Sequence, residues 1–191
     1  MHATTNNRWI VGITGKNASG KGVAAEALMG AGYAYRSLSD ALRIEAEKLG
    51  VSHSREDLIR LGQSLRKKEG PGVLAARTAA AFDAQGLYVV DSIRNPVEID
   101  ILKASGHFIL LGIDAPIALR YERAMKRGRN ESAQTLEQFQ KMEERECSND
   151  ELGQQLNKCL ERVDFLLQND TSVTELAQTV LTTVRGASFP V

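Results

Sequence analysis

Gly15-Lys16-Asn17-Ala18-Ser19-Gly20-Lys21-Gly22 is the stretch on which the reading of this chain turns. An apolar run, Trp9-Ile10-Val11-Gly12-Ile13, leads into it, and a helix-forming run, Val23-Ala24-Ala25-Glu26-Ala27-Leu28, leaves it. Strand, glycine-framed loop, lysine and helix make up the context of a phosphate-binding loop. Glycines allow backbone N–H groups to turn inward around phosphate oxygens. The helix that follows aims its positive end at the same point, and Lys21 adds a mobile cation near the outer phosphates. An ordinary glycine-rich turn would need neither the lysine nor this spacing. The full G-x-x-x-x-G-K pattern is present, yet Gly22 and Val23 stand where a Ser or Thr hydroxyl usually meets magnesium. Metal handling is left open by the sequence, with Ser19 or ordered water as substitutes.

The 191 residues suit one domain with a sizeable core, expected over residues 8–191 after a short polar tail at residues 1–7. The 24 Lys and Arg residues balance 24 Asp and Glu. Net charge therefore gives no general case for nucleic acid or an anionic membrane as partner. Cys147 and Cys159 lack metal-ligand spacing and read as reduced thiols of a cytoplasmic protein. No apolar run approaches a membrane span. His2, His53 and His107 are too scattered to suggest a zinc site or a catalytic base.

Strand candidates at Trp9–Ile13, Tyr33–Leu38, Leu87–Asp91, His107–Ile113 and Val163–Gln168 alternate with helical patterns. That alternation predicts an α/β fold with a parallel five-stranded sheet and helices on both faces. Ser54-x-x-Asp57, Thr135-x-x-Gln138 and Ser172-x-x-Glu175 resemble helix-capping boxes. Pro96 and Pro116 suit first turns, and Gly50, Gly106 and Gly186 suit helix ends.

Ligands in such sheets gather beyond the carboxyl ends of the strands. After the second strand, Ser39-Asp40-Ala41-Leu42-Arg43 brings a guanidinium, whose planar fork matches a phosphate edge, although alone it reads as a solvated helix arginine. The third strand ends on Asp91, an acid placed to hold magnesium directly or through water, with Arg94 three residues on. After the fourth strand, Arg120, Arg123 and Arg127 share one helix face, and Arg129 follows Gly128 on a polar stretch reaching Ser132. This segment reads equally as a closing lid over a phosphoryl group or as a solvated basic face paired with Glu122 and Glu131. The charged helix Glu137–Glu146 would return the lid to the body and bring Arg145. Asn169 and Asp170 end the fifth strand, where a loop can flank a purine.

Taken in order, these motifs resemble the P-loop nucleoside monophosphate kinases. Within that group the chain is similar to adenylate-kinase-like and dephospho-CoA-kinase-like small kinases, including a set of archaeal members. The matching stretches are Gly15–Gly22, Ser39–Arg43, Glu69-Gly70-Pro71-Gly72, Val89–Arg94, Arg120–Arg129 and Asn169-Asp170. The departure lies at Gly22 and Val23: adenylate kinases share the Gly but follow it with Thr. The resemblance implies a three-layer P-loop kinase fold with a helical acceptor-binding insertion over about 40–85 and a lid over about 120–146. It implies ATP and Mg2+ as cofactors. Gly15, Asn17, Ala18, Ser19, Gly20, Lys21, Gly22 and Val23 would surround the donor phosphates, with Arg120 and Asn169 as further nucleotide contacts. Asp40, Arg43 and Arg94 would hold the acceptor, and Asp91 the metal. Lys21, Asp91, Arg94, Arg123 and Arg127 would act on the phosphoryl group in transit, with Arg120 and Arg129 close rivals of the lid arginines.

The expected activity is transfer of the γ-phosphoryl group of ATP to a small phosphorylated acceptor, foremost a nucleoside or deoxynucleoside monophosphate. The alternatives are a dephospho-CoA-type kinase acting on a hydroxyl, with Asp40 or Asp91 as base, a nucleotide sensor without turnover, and simple ATP hydrolysis. Partners would be small nucleotides. A monomer is the default expectation, with a dimer left open.

Overall fold

The computed structural model describes residues 7–128, 135–146 and 154–191. Arg129, Glu131, Ser132, Cys147, His2 and the side chain of Arg145 lie outside what it describes.

Five strands, β1 (Asn7–Thr14), β2 (Ala34–Ser37), β3 (Gln85–Asp91), β4 (His107–Asp114) and β5 (Phe165–Gln168), form one sheet in the order β2-β3-β1-β4-β5. All four neighbouring pairs are parallel. The sequence expectation of a parallel five-stranded α/β sheet is met. β1 sits at the centre: Val11 lies opposite Val89 of β3 on one side and Ile109 of β4 on the other.

Side chains alternate across a strand, so each buried strand feeds two cores. Ile10, Tyr88, Val90 and Leu110 point to one face. There they meet Leu58, Leu61 and Leu65 of α3 (Arg55–Glu69), Val73, Leu74 and Ala75 of α4 (Val73–Ala80), Ile99 and Leu102 of α5 (Pro96–Ala104), and Cys159 of α8 (Leu156–Leu160). Val11, Ile13, Val89, Leu111 and Ile113 point to the other face. That face packs on Ala24, Ala25 and Leu28 of α1 (Lys21–Gly30) and on Leu176, Val180 and Val184 of α9 (Val173–Gly186). The result is three layers. A small third cluster joins Ala18 of the loop to Ala124 of α6 (Ile117–Arg127) and Phe139 of α7 (Leu136–Glu146).

Local chemistry sets the boundaries. Ser37 ends β2 and also caps α2 (Leu38–Leu49), its hydroxyl accepting from the Ser39 N–H. Strand therefore passes directly into helix, and Leu38, expected as strand, is the first helical residue. Ser54 and Ser172 cap α3 and α9 as expected, and Thr135 accepts from the Gln138 N–H. Pro96 occupies the first turn of α5. Pro116 instead stands one position outside α6 with extended backbone (ψ 137°). Gly50 closes α2 in the left-handed region at φ 65°. Gly186 is still helical and Ala187 is the cap. Gly106 follows the α5 cap Ser105, where a Cβ would meet the Arg8 carbonyl oxygen at 2.7 Å.

Cys159 is buried and free, and burial pushes its thiol up to about 12, so it stays protonated and unreactive at neutral pH. Among the described residues no helix is long and apolar enough to cross a membrane.

The central packing has a simple test. Leu110 is fully buried on β4, and Leu110→Ala should cost about 2–5 kcal/mol. Urea denaturation should show a lower midpoint with an unchanged slope.

Candidate functional site at the carboxyl edge of the sheet

Every strand ends in a polar or charged residue at one edge: Thr14, Ser37, Asp91, Asp114 and Gln168. The glycine-framed loop rises from the central one. Gly15 has φ 149°, and a Cβ there would lie 2.2 Å from the Ile113 carbonyl oxygen. Gly20 caps α1 at φ 110°, and a Cβ there would lie 2.0 Å from Asn169 Nδ2. Both positions exclude a side chain on two counts, backbone region and space. The loop is pinned from outside. Asn169 Nδ2 donates to the Ser19 carbonyl at 2.7 Å, while the Asn169 N–H donates to the Asp114 carbonyl at 2.7 Å. Asn169 is thus a buried clasp between β4, β5 and the loop.

Inside the loop, Lys21 Nζ donates to the carbonyls of Gly15 and Lys16, each at 2.8 Å. Helix α1 starts without a side-chain cap and without an acid in its first turn. Its opening N–H groups therefore present positive potential at the loop. Ser19 Oγ is fully buried and lacks a hydrogen-bond partner among the described residues. Gly22 differs from its neighbours, since a Cβ there meets nothing within 4 Å.

Asp91 lies opposite Ser37 in the β2–β3 register, and its Oδ1 accepts from the Ser92 N–H at 2.5 Å. Ser92 adopts φ 67°, a left-handed conformation unusual for a residue with a side chain. Tyr35 lies beside this carboxylate. Its phenol is pushed up by burial first and by the Asp91 charge second. Asp40 and Arg43 sit in the opening turns of α2, paired with each other at 3.1 Å, with Arg43 also donating to Ser39 Oγ at 3.0 Å. Both are exposed to solvent.

Arg94 is held at several points. Its N–H donates to Glu98 Oε2 at 2.8 Å, its carbonyl accepts from the Gln155 N–H at 2.8 Å, and Nη1 donates to Gln154 Oε1 at 2.8 Å. One residue earlier, Thr14 Oγ1 at the end of β1 donates to the Ile93 carbonyl at 2.9 Å. The Arg94 turn is thereby tied to the strand that launches the loop.

The three arginines expected on one face of α6 occupy different environments. Arg120 is 2 % exposed. It is ion-paired with Glu143 of α7, donates through Nε to the Ala115 carbonyl at 2.8 Å, and reaches the Asn17 carbonyl of the loop at 3.4 Å. Its guanidinium thus ties α6 and α7 to the loop. Arg123 is half-buried and donates to the Asn169 carbonyl at 3.1 Å. Arg127 is exposed at the far end of the helix. Glu122, expected as a partner of the basic face, pairs with Lys126 at 2.6 Å.

The sequence reading did not single out Glu98, Arg66, Glu143, Gln154 or Tyr35. Glu98 carried a usable signal: Asn95-Pro96-Val97-Glu98 has capping-box spacing, and the box is formed. The others act across long separations, 32 residues for Arg66 with Glu98 and 23 for Arg120 with Glu143. A groove of about 510 Å³ between α2 and α4 is lined by Ala41, Ile44, Glu45, Lys48 and Arg77. By helical phase that stripe lies on the opposite side of α2 from Arg43, so the groove is separate from this site.

No protein-family model matches the sequence. The chain is 30% identical over 171 residues to a UPF0200 protein of Hyperthermus butylicus, across 88% of this chain and 89% of the relative. It belongs to the UPF0200 family. Among solved structures, this UPF0200 chain is similar to shikimate kinase from Acinetobacter baumannii in complex with shikimate, with TM-score 0.60 and 16% identity over 95% of this chain and 96% of that one. It is also similar to a gluconokinase from Sinorhizobium meliloti 1021, with TM-score 0.56 and 16% identity over 96% and 94% of the two chains. At these identities the likeness is one of fold, and the fold is that of the P-loop small kinases.

The two glycines separate cleanly. Gly20→Ala should lower stability by about 1–3 kcal/mol through left-handed strain and the clash with Asn169. Gly22→Ala should be neutral or stabilising by about 0.5–1 kcal/mol, since a helical glycine gains from a methyl group in open space. Thermal unfolding of the two variants beside the parent chain measures both.

Proposed function

We propose that this protein is a phosphotransferase that moves the γ-phosphoryl group of ATP to a small phosphorylated acceptor, foremost a nucleoside or deoxynucleoside monophosphate. The observation that carries the reading is the setting of Lys21. It lies inside a loop that excludes side chains at Gly15 and Gly20, at the uncapped start of α1. Arg94 and Asp91 stand at the end of the adjacent strand β3.

The donor fits the residues present. Backbone N–H groups of residues 15–22 would bind its β- and γ-phosphates, Lys21 would shift from loop carbonyls to phosphate oxygens, and Asn169 would border its base. Magnesium, when bound, would neutralise phosphate charge. Asp91 would hold it together with phosphate oxygens and water, and Ser19 Oγ is the hydroxyl nearest in sequence to the position that Gly22 leaves without one. Arg94, with Arg43, would hold the acceptor phosphate. In the transfer, the bond from the γ-phosphorus to the bridging oxygen breaks with its electron pair leaving on the diphosphate. An acceptor phosphate oxygen forms the new bond. Such an oxygen is already anionic and needs no base. The protein's work is alignment, screening of charge by Lys21, Arg94 and Arg123, and exclusion of water. Small nucleotides would be its partners, acting on a cytoplasmic monomer.

Purified protein with ATP, magnesium and a panel of monophosphates should yield ADP and a diphosphate. Lys21→Met should lower turnover by about 100-fold or more and weaken ATP binding. Transfer confined to acceptors bearing only a hydroxyl would replace the phosphate-acceptor reading, and phosphate release independent of acceptor would reduce it to hydrolysis. Absence of product with every acceptor, with ATP still bound, would favour a sensor.

Gly22→Ser tests metal handling. Open space at Cβ lets the hydroxyl fit without distortion. The magnesium concentration for half-maximal ATP binding should fall several-fold in the variant. An unchanged dependence would mean that Asp91 and water already complete the site.

A further inference from the structure

Glu98 does more than a helix cap requires. At the start of α9, Glu175 completes its capping box while exposed, taking the Ser172 N–H and hydroxyl. Glu98 does the equivalent for α5 while fully buried. Its two oxygens divide their work. Oε2 accepts from the N–H groups of Asn95 at 3.0 Å and Arg94 at 2.8 Å. Oε1 accepts from Arg66 Nη2 at 3.3 Å. Arg66 projects from α3 with its side chain only 7% exposed. An ordinary cap would need neither the second N–H nor an arginine from another helix.

We propose that Arg66 is a positioning residue for Arg94. Through Glu98 it transmits the placement of the helices between β2 and β3 to the backbone that carries Arg94. The inference rests on the reading of Arg94 as the acceptor's phosphate contact. The physical reason is the state of a buried carboxylate. Burial pushes the Glu98 carboxyl up from its ordinary range, and the Arg66 guanidinium on Oε1, with the two N–H groups on Oε2, opposes that push and favours the ionised form. Without the cation, the carboxyl takes up a proton or turns toward solvent, and both N–H bonds weaken. The turn would keep its ties to the Gln155 N–H, Gln154 and the Thr14 hydroxyl. Those ties act on the Ile93 and Arg94 carbonyls and one guanidinium nitrogen, whereas Glu98 acts on the Arg94 and Asn95 N–H groups. Arg94 would stay near the site but lose its aim. α3 lies in the stretch expected to receive the acceptor, so seating of the acceptor and placement of Arg94 would be linked through one ion pair.

The test combines amide hydrogen exchange with kinetics on Arg66→Met, Arg66→Lys and the pair Arg66→Met/Glu98→Gln. Arg66→Met should speed exchange at Arg94 and Asn95 about tenfold or more, with the amides of β4 at parental rates. The KM for the acceptor should rise about tenfold while that for ATP stays within about twofold. Adding Glu98→Gln should recover part of the protection, because the amide oxygen accepts both N–H groups, though without the charge of a carboxylate, and no buried charge is left unpaired. Arg66→Lys should fall between the parent and Arg66→Met. If Arg66→Met does not fold, Arg66→Lys is read alone at the same two amides. Unchanged protection at Arg94 and Asn95 would overturn the inference. So would equal rises in both KM values, or faster exchange spread evenly over the chain. The exchange measurement needs no turnover: if the parent transfers phosphate to no acceptor, the phosphotransfer reading fails while the clamp is still decided.

Discussion

Strand β1 hydrogen-bonds to a neighbour on each side, and the geometry of the whole site depends on that constraint. A strand paired on both edges cannot shift register without breaking two ladders, so the point at which it ends is fixed in space. Thr14 is that point, matched to Gly112 of β4. The loop that begins one residue later inherits a rigid base, and the helix that closes it is held by an apolar face built from Ala24, Ala25 and Leu28. Small residues on α1 let it lie close against the sheet. The loop is therefore held between two fixed supports, and its own Gly15 and Gly20 supply the backbone conformations that this path requires.

Neighbouring elements then contribute clasps. Asn169 comes from the end of β5, Arg120 from α6 and the Ile113 carbonyl from β4. Asn169 and the Ile113 carbonyl approach so closely that Gly20 and Gly15 leave no room for a side chain. On the other side of β1, the Thr14 hydroxyl reaches across to the turn that bears Arg94. The two halves of the site, one for each phosphate-bearing ligand of the proposed reaction, are thereby referenced to a single strand end.

Much of this was legible in the sequence because it is written in local patterns. Apolar runs alternating with helical patterns located all five strands, and in the structure the two faces of β1 sort by parity, Ile10 to one core and Val11 with Ile13 to the other. The glycine and lysine spacing marked the loop. Ser172 and Glu175 marked the start of α9. What escaped was contact between distant charges. Arg120 shows why. Spaced with Arg123 and Arg127, it reads as one of three equivalent lid cations. Spaced with Ile117, Tyr121 and Ala124, it belongs to an apolar stripe that packs on Phe139. Both periodicities are present in the same eleven residues of α6, and only the position of α7 decides between them. Leu38 was misplaced for a related reason. An apolar residue after a strand looks like more strand unless the serine before it is recognised as the cap of a helix.

The burial of Arg120 gives the outer wall of the site a mechanical character. A buried guanidinium drawn part-way from its carboxylate has lost that partner without yet regaining water. Stretching that contact is costly at once, and the cost is relieved only when the separation is complete. The wall formed by α6 and α7 should accordingly behave as a latch with two settings, not as a spring. Because the same guanidinium rests on the Asn17 carbonyl, whichever setting the latch takes is felt directly by the loop beneath it.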